Sequence, residues 1–438
     1  MPIDRYQNST NYEHPQESNL LDLHKAMQYN VLGEPILRTT LGPTASDAFG
    51  RFRVSHPFTI FDTFHRYEDT GKSSIYTTGT NSTSTFDANG GNIVMAISTG
   101  SGNAVYRETN RVFAYQPGKS LLIQKTFCMG PAKHGLRQRV GYFDNNNGIF
   151  LERNGGEIAF VLRSSSVNGT PIEKRATKEN WNITPLDGTG ADKIVLDLSL
   201  SQIFYINIEW LGVGSVQCGF VINGQFIPCH VFHYANTTGS TTTYMTTACL
   251  PVRSEIENTT ATTSTSVLRE ICTTVISEGG YELRGRPLSV GHTLSSPYRL
   301  DSTNVLYPVL SIRLKQNRTG GIVLPKNFSL APITAANYRY QLLSGANTSG
   351  GGWHSAGSNS SVEYNITATS VINGIVLETG YILATNQSSI SPALQDYPFA
   401  FQLERNSFTG VCYEFVLAVS TTAQNPDVVA SFNWEEVT

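Results

Sequence analysis

Residues 203–234 read IFYINIEWLGVGSVQCGFVINGQFIPCHVFHY and contain the clearest folding pattern in the chain. Around Phe204 and Ile206, every second residue is apolar, which is the period of a half-buried β-strand. The dipeptide Asn223-Gly224 then separates two such strands, and this pair is the strongest short signal for a hairpin. The stretch therefore predicts antiparallel strands that belong to a larger sheet.

The turn of this hairpin also predicts a register. A two-residue turn would place Cys218 opposite Cys229 on the core side, where the pair could form a cross-strand disulfide or pack as two thiols. The six cysteines are too sparse for a disulfide framework and include no Cys-x-x-Cys pair, so packed thiols are favoured. The odd spacing of His230 and His233 puts them on opposite faces of the strand, which argues against a shared metal.

Short apolar runs broken by Gly and Asn recur along the rest of the chain. A second hairpin signal lies at residues 370–377, and the pattern restarts after Gly320-Gly321. We therefore expect an all-β fold in three parts. The parts are an extended N-terminal arm at 1–45, a large β-sandwich of jelly-roll or lectin-like type at 46–320 and a smaller C-terminal β-sandwich at 321–438.

The arm is polar and irregular, with one short helix expected in it. Ser18 or Asn19 would cap this helix, and Leu20, Leu23 and Met27 would lie on one stripe. The first residues have neither the basic region nor the apolar region of a secretory signal. No run in the sequence approaches the ~18 apolar residues of a membrane span. We expect synthesis in a cytosol and no membrane partner.

Charge is sparse and nearly balanced. The chain has 31 basic and 34 acidic residues, a net charge of −3 and 15% charged residues, against roughly 25% in average domains. This composition argues against nucleic-acid binding by bulk electrostatics. Seven basic residues nevertheless fall between 107 and 139 and predict a patch that meets an acidic partner, unless acids from elsewhere in the chain pair with them. They are Arg107, Arg111, Lys119, Lys125, Lys133, Arg137 and Arg139.

Local enzyme signatures are missing from the sequence: there is no nucleophile elbow, P-loop, dinucleotide fingerprint or zincin motif. Two carboxyl groups across a sugar could hydrolyse it. The pair Glu278 and Glu282, and Glu209 beside Trp210, are the candidates, but a glycine pair between the first two favours a turn. We expect no enzyme activity and no cofactor.

Two oxygen-rich loops, at 144–148 and 187–192, offer the oxygen atoms that Ca²⁺ binds. Neither has the bidentate Glu of an EF-hand, and Asn-Gly and Asp-Gly are ordinary turn formers. We therefore expect turns and no metal site.

Several stretches resemble a family of tailed-bacteriophage virion structural proteins, most of them of undefined role. The resemblance covers roughly residues 45–320 specifically and 321–438 more loosely. It implies a particle component that acts by protein–protein docking, and it supplies no catalytic or binding residues. The stretches are DAFGRFRVS at 47–55, YQPGKS at 115–120, RQRVGYFD at 137–144, LDGTG at 186–190, EWLGVG at 209–214, LPVR at 250–253, ISEGG at 276–280 and NWEE at 433–436.

We therefore expect a structural virion component, namely a capsid decoration, fibre or neck/tail attachment protein. Its arm would dock on other virion proteins, and the protein would be a homo-oligomer, for which a trimer is the expectation. The alternative is a receptor- or glycan-binding module on the particle. Trp353 and His354 would then contact a host-surface glycan, because lectin-type sites use aromatic platforms; the other interpretation is an ordinary loop tryptophan.

Overall fold

The computed structural model describes residues 56–190, 193–237, 241–282, 284–383 and 401–437, and the backbone of two short strands nearer the N-terminus. These strands, β1 (Met27–Tyr29) and β2 (Pro35–Leu37), pair antiparallel within a unit that spans Met1–Ser55. Met27 thus lies in a strand rather than in the predicted helix, whose cap at Ser18 or Asn19 and stripe residues Leu20 and Leu23 lie outside the described residues. The second unit, His56–Thr438, contains two β-sandwiches.

The first sandwich is formed by two antiparallel sheets. Its strands are β3 (Phe58–Phe64), β4 (Ser73–Thr78), β5 (Thr83–Asp87), β6 (Asn92–Ile97), β7 (Ala104–Thr109), β8 (Ser120–Cys128), β9 (Leu136–Phe143), β10 (Gly148–Asn154), β11 (Glu157–Ser164), β12 (Ile172–Thr177), β13 (Gln202–Ile208), β14 (Val216–Ile222), β15 (Gln225–Phe232), β16 (Val252–Asn258) and β17 (Ser266–Glu278). A seven-stranded sheet has the order β12-β11-β10-β9-β16-β7-β4. An eight-stranded sheet has the order β15-β14-β13-β8-β17-β6-β5, with β3 paired to β17. One 3₁₀ turn, Lys178–Asn180, follows β12.

Apolar side chains from both sheets fill the space between them. Val140 and Ile149 come from the seven-stranded sheet, Ile123 and Phe204 come from the eight-stranded sheet, and all four are 1% exposed or less. The alternation predicted around Phe204 and Ile206 is confirmed, since both residues lie in this core. Because side chains alternate along a strand, the residues between the core positions of the seven-stranded sheet face outward.

The core also contains charged side chains. Glu270 on β17 lies 3.0 Å from Lys125 on β8 and 4.0 Å from Arg107 on β7, and all three are 4% exposed or less. Burial alone would raise the pKa of Glu270, but the attraction of the two cations lowers it to about 2. This cluster joins the two sheets through ion pairs.

The second sandwich is smaller. Its strands are β18 (Arg286–Gly291), β19 (Tyr298–Arg299), β20 (Tyr307–Leu314), β21 (Ile322–Pro332), β22 (Asn337–Ser349), β23 (His354–Ser355), β24 (Val362–Asn365), β25 (Ser370–Leu383), β26 (Glu414–Thr421) and β27 (Asp427–Val437). A four-stranded sheet has the order β18-β27-β19, with β21 paired to β27, and a six-stranded sheet has the order β23-β24-β20-β26-β22-β25. The prediction of an all-β fold with two sandwiches is confirmed. In the described part of the chain, no helix is long and apolar enough to cross a membrane.

The change from one sandwich to the other lies near residue 285, whereas the sequence pattern placed it at 320. Strand β18 pairs along β27, and Leu300 and Val309 belong to the core of the second sandwich. The pair Gly320-Gly321 precedes β21 inside this sandwich. Pairing between strands far apart in the chain decides the boundary, and a local glycine pair carries no information about it.

A segment of the second sandwich crosses to the first. Residues 401–413, which we call the strap, run alongside β7, where the backbone N–H of Arg405 donates to the carbonyl of Asn110 over 3.0 Å. Beside the strap, Val112 packs with Leu324 of β21 in a small apolar cluster. The two sandwiches are therefore joined by both hydrogen bonds and apolar contacts.

The hairpin of β14 and β15 has the predicted two-residue turn, but its register shifts. A β-bulge beside Cys218 moves the pairing by one residue, so Cys218 lies opposite His230 and not opposite Cys229 as predicted. Both cysteines are buried, and no disulfide joins them. His230 is buried and His233 is exposed, which confirms that the two histidines point to different faces.

Candidate functional site

Rows of polar side chains cross the outer face of the seven-stranded sheet. In the middle row, Tyr76, Tyr106, Glu255, Arg139 and Glu152 stand opposite one another on β4, β7, β16, β9 and β10. They share this face because the residues between them along each strand point into the core. The row places two aromatic rings next to three charged groups.

The flanking rows add further charges. On one side, Glu108 of β7 lies opposite Arg253 of β16, which in turn lies opposite Gly141 of β9. On the other side, Glu257 of β16 lies opposite Arg137 of β9. Opposite charges thus stand on neighbouring strands, an arrangement that stabilises a sheet.

Two arginines each contact more than one carboxylate. Nε of Arg139 donates to Oε2 of Glu152 over 2.6 Å, and one of its terminal nitrogens lies 3.5 Å from Glu255. The terminal nitrogens of Arg253 lie 3.1 Å from Glu108 and 2.7 Å from Glu255. Glu255 is therefore shared between two guanidinium groups.

The outer strands continue this network. Arg163 donates to Glu173 over 2.8 Å, and the same carboxylate lies 3.6 Å from a terminal nitrogen of Arg139. Arg175 donates to Glu152 over 2.5 Å. A layer of charge pairs thus extends from β7 to β12.

Aromatic rings lie beneath the arginines. Phe143 and Phe150 contact each other with ring centroids 4.5 Å apart. The guanidinium carbons of Arg139 and Arg163 each lie 5.0 Å from the centroid of Phe150. Contacts of this kind add a cation–π attraction that helps to hold the guanidinium groups over the rings.

A second aromatic group forms a wall. The rings of Tyr76 and Tyr106 are stacked, with centroids 5.8 Å apart and planes 2° apart. The ring of Phe408, from the strap, tilts against both at 5.8 and 6.3 Å. The backbone N–H of Phe408 donates to the Asn406 side chain in a tight turn, which restrains the backbone that carries the ring. Tyr76 is 46% exposed, so an aromatic surface remains open to solvent.

Together these groups line an open cleft of about 610 Å³, which is within the usual range for ligand sites. Aromatic and ion-paired side chains dominate its lining. The lining residues are Tyr76, Tyr106, Arg137, Arg139, Asn145, Arg163, Pro171, Glu173, Arg253, Glu255 and Phe408.

Burial and ion pairing shift the pKa values of Glu108 and Glu152, two acids that lie beneath the cleft lining. Burial raises the pKa of Glu108 to about 7, against the attraction of Arg253 and Arg405. Burial acts in the same direction on Glu152, but the attraction of Arg139 and the hydrogen bonds that Glu152 accepts lower its pKa overall. Glu152 is therefore ionised at neutral pH, whereas Glu108 titrates close to it.

The seven basic residues predicted as one patch are not brought together by the fold. Arg107 and Lys125 point into the core, whereas Arg137 and Arg139 point outward into the cleft, where each pairs with an acid. The other three lie elsewhere and are half-buried: Arg111 over the ring of Phe61, Lys133 against the carbonyl groups of Ser264 and Thr265, and Lys119. The alternation of side chains along strands divides a cluster that is contiguous only in sequence.

The predicted glycan contacts, Trp353 and His354, lie in the second sandwich. The guanidinium of Arg313 covers one face of the Trp353 ring at 3.9 Å, and Trp353 is half-buried. His354 is exposed on β23, with its ring 5.8 Å from that of Tyr364. Neither residue lines the cleft.

The other candidates are also dispersed. Glu278 ends β17 and a glycine turn separates it from Glu282, as the sequence indicated, while Glu209 is exposed. Asp144 and Asp187 accept hydrogen bonds from backbone N–H groups in their own turns. Within the described residues, no group of three or more His, Cys, Asp or Glu is placed to hold a metal ion.

Sequence reasoning missed the acids of the cleft. Glu255 and Glu257 alternate along β16 in the same way as Arg137 and Arg139 alternate along β9, and this period of two was the available signal. Nothing in the sequence indicates that β9 and β16 are neighbours, or that Phe408 would reach the same face.

No family model matches the sequence, and no curated protein matches it. Solved structures show a distant likeness. The Bacillus licheniformis β-glucanase shares 13% identity and a TM-score of 0.31 over 49% of this chain and 96% of its own. A protein of unknown function from Shewanella oneidensis MR-1 shares 10% identity and a TM-score of 0.34 over 63% and 98%. A legume lectin-like domain from Entamoeba histolytica shares 12% identity and a TM-score of 0.29 over 46% and 89%. Likeness at this level assigns neither an activity nor a ligand to the chain.

Proposed function

We propose that the protein binds glycans in the cleft of the seven-stranded sheet, as a component of a tailed-phage particle. The observation that carries this proposal is the stacked pair Tyr76 and Tyr106 beside a fixed layer of guanidinium and carboxylate groups. Aromatic faces suit the C–H faces of sugar rings. Planar charged groups suit pairs of neighbouring hydroxyls, because they form two parallel hydrogen bonds.

The charge network supports a ligand-binding role. Burying paired charges costs about as much as their attraction returns, and apolar residues of similar volume often stabilise a fold as well or better. Glu152 is 1% exposed and Glu255 is 4% exposed, yet their shared partner Arg139 lines an open cleft. Polar groups held rigidly at an open surface are pre-organised for a polar ligand.

We propose binding without hydrolysis. Glycoside hydrolysis needs one carboxyl group that protonates the leaving oxygen and a second that attacks the sugar or activates water. Of the carboxylates that line the cleft, Glu255 contacts two guanidinium groups and Glu173 is held by Arg163. Cleavage of a bound glycan by the purified protein, abolished by Glu255→Gln, would overturn this part of the proposal.

The placement on a phage particle rests on the sequence resemblance. Two of the stretches that carry it, at 137–144 and 250–253, supply most of β9 and the start of β16, which build the cleft. We propose a decoration, fibre or neck/tail component that forms a homo-oligomer, with a trimer as the expected state. Its arm at 1–45 would dock on other virion proteins. Deletion of residues 1–40 should prevent incorporation into particles; normal incorporation would overturn the role of the arm.

A glycan array probed with the full-length protein tests the cleft. We expect binding that weakens at least tenfold in Tyr106→Ala. Binding should be unchanged in Trp353→Ala, which removes the other predicted aromatic contact. Tyr106→Phe keeps the ring and removes only the hydroxyl that donates to Glu257 over 3.0 Å, so it should retain most of the affinity. Binding that depends on Trp353 but not on Tyr106, or no binding to any glycan, would overturn the assignment.

A further inference from the structure

We infer that the cleft selects acidic glycans, in which a sugar carries a carboxylate, over neutral ones. The inference rests on the proposed function and specifies its ligand class. Among the groups that line the cleft, four are guanidinium groups, on Arg137, Arg139, Arg163 and Arg253, and only Glu173 and Glu255 are carboxylates. A ligand in the cleft therefore meets an excess of positive charge, although the chain as a whole has a net charge of −3.

Two of the acids that balance these arginines lie deeper. Glu108 and Glu152 are 3% and 1% exposed and are absent from the cleft lining. They hold Arg253 and Arg139 from below, through contacts of 3.1 and 2.6 Å. These two carboxylates thus hold Arg253 and Arg139 in place without occupying the surface that faces a ligand.

Arg139 has donor capacity left for a ligand. Nε is committed to Glu152, but the terminal nitrogens lie 3.5 Å from Glu255 and 3.6 Å from Glu173. Charge-assisted hydrogen bonds are usually about 2.7–2.9 Å long, so these two contacts are weak. Both acids have shorter contacts elsewhere, at 2.7 Å for Glu255 and 2.8 Å for Glu173.

Arg137 is the more accessible donor. It contacts Glu257 through one terminal nitrogen, and its side chain is 26% exposed. It lies two residues from Arg139 on the same face of β9, which places the two side chains roughly 7 Å apart. Two guanidinium groups at this distance can act on one sugar unit and its substituent.

A carboxylate fits these donors better than a neutral group does. The guanidinium group is planar and forms two parallel hydrogen bonds with a planar carboxylate. The guanidinium carbon of Arg139 lies 5.0 Å from the centroid of the Phe150 ring, a contact that adds to the ion pairs that hold this side chain. A neutral hydroxyl lacks the charge, so a neutral glycan cannot form such a charge-assisted pair.

The test uses an array of neutral, sulfated and carboxylate-bearing glycans with the full-length protein. Chemical reduction of the carboxylates of the best ligand to primary alcohols then gives a neutral partner of the same backbone. We expect the reduced glycan to bind at least tenfold more weakly. Arg137→Gln should lose a similar factor for the acidic glycan and little for its reduced form, whereas Arg137→Lys should recover part of the loss.

Arg299→Gln is the matched control, because Arg299 forms an exposed ion pair with Asp427 in the second sandwich. It should bind like the wild type. Equal binding of a glycan and its reduced form, or a preference for sulfated or neutral glycans, would overturn the inference and leave the proposed function standing. A loss of binding in Arg299→Gln equal to that in Arg137→Gln would also overturn it. No binding to any glycan would overturn the proposed function itself.

Discussion

Arg139 and Glu152 stand directly opposite each other on β9 and β10, and Nε of Arg139 donates to Glu152 over 2.6 Å. Glu152 is 1% exposed and also accepts a hydrogen bond from Arg175 over 2.5 Å. Two guanidinium groups therefore depend on one buried carboxylate. Loss of Glu152 therefore leaves the buried guanidinium of Arg139 without its shortest ion pair.

We expect Glu152→Gln to lower the free energy of unfolding by about 3–5 kcal/mol, because it removes one partner of a buried ion pair. Urea denaturation of the full-length protein measures this loss. Glu157→Gln is the matched control, since Glu157 also pairs with Arg175 but its side chain is 49% exposed. It should cost less than about 1 kcal/mol. Equal losses in the two variants would show that the network does not depend on Glu152.

Glu108 should give the protein a pH-dependent stability. Its pKa is about 7 in the folded chain and 4.5 ordinarily, so the folded chain binds an extra proton between these values. The stability that this proton provides is present below pH 4.5 and is lost as the pH rises to 7.

The variant Glu108→Gln stays neutral and isolates this effect. The stability of the wild type relative to the variant should fall by about 3 kcal/mol across this window. Urea unfolding at several pH values, performed on both proteins, measures the difference. A difference that stays constant with pH, or grows in favour of the wild type, would contradict the assignment.

Phe408 should contribute to binding without contributing much to the core. We expect Phe408→Ala to weaken glycan binding at least fivefold, because it removes one of the three rings in the aromatic wall. Val411→Ala is the control: Val411 lies on the same strap and is 55% exposed. Isothermal titration with an array-identified glycan compares the two variants. Unchanged affinity in Phe408→Ala would exclude the strap from the site.

Gly141 permits the close approach of β10. A Cβ atom at this position would lie 2.4 Å from the carbonyl oxygen of Ile149 and 2.6 Å from Cα of Phe150. We expect Gly141→Ala to destabilise the protein by roughly 1–3 kcal/mol, since the backbone of β10 must shift. Gly156→Ala, with nothing within 4 Å of its Cβ, should stay within about 0.5 kcal/mol of the wild type. Thermal unfolding that ranks the two variants in the opposite order would contradict this packing.

The sequence predicted local features better than distant ones. The alternation around Phe204 and the turn at Asn223-Gly224 specify strands and a hairpin, because both signals act over a few residues. The bulge that turns Cys218 toward His230 depends on packing in the whole sheet, and alternation does not reveal it. For the same reason Gly320-Gly321 gave a misleading boundary.

The cleft shows the same limit. Arg137 and Arg139 were identified as part of an interaction surface, and both line the cleft. The sequence also predicts Arg107 in this surface, but its side chain points into the core. Alternation along one strand shows which residues share a face, but it does not show which face packs against the core. Glu255 and Phe408 reach the cleft only through contacts between distant parts of the chain, which composition and spacing do not encode.

Both sandwiches contribute to the aromatic wall, because Tyr76 and Tyr106 belong to the first sandwich and Phe408 lies on the strap from the second. A ligand that touches both Tyr106 and Phe408 binds more tightly while the strap is seated on the first sandwich. With a fivefold difference in affinity between the seated and unseated arrangements, a saturating ligand stabilises the seated one by about 1 kcal/mol. A bound ligand therefore stabilises the junction between the sandwiches. A pulling force between the bound glycan and the second sandwich would separate the two sandwiches less easily than in the ligand-free protein.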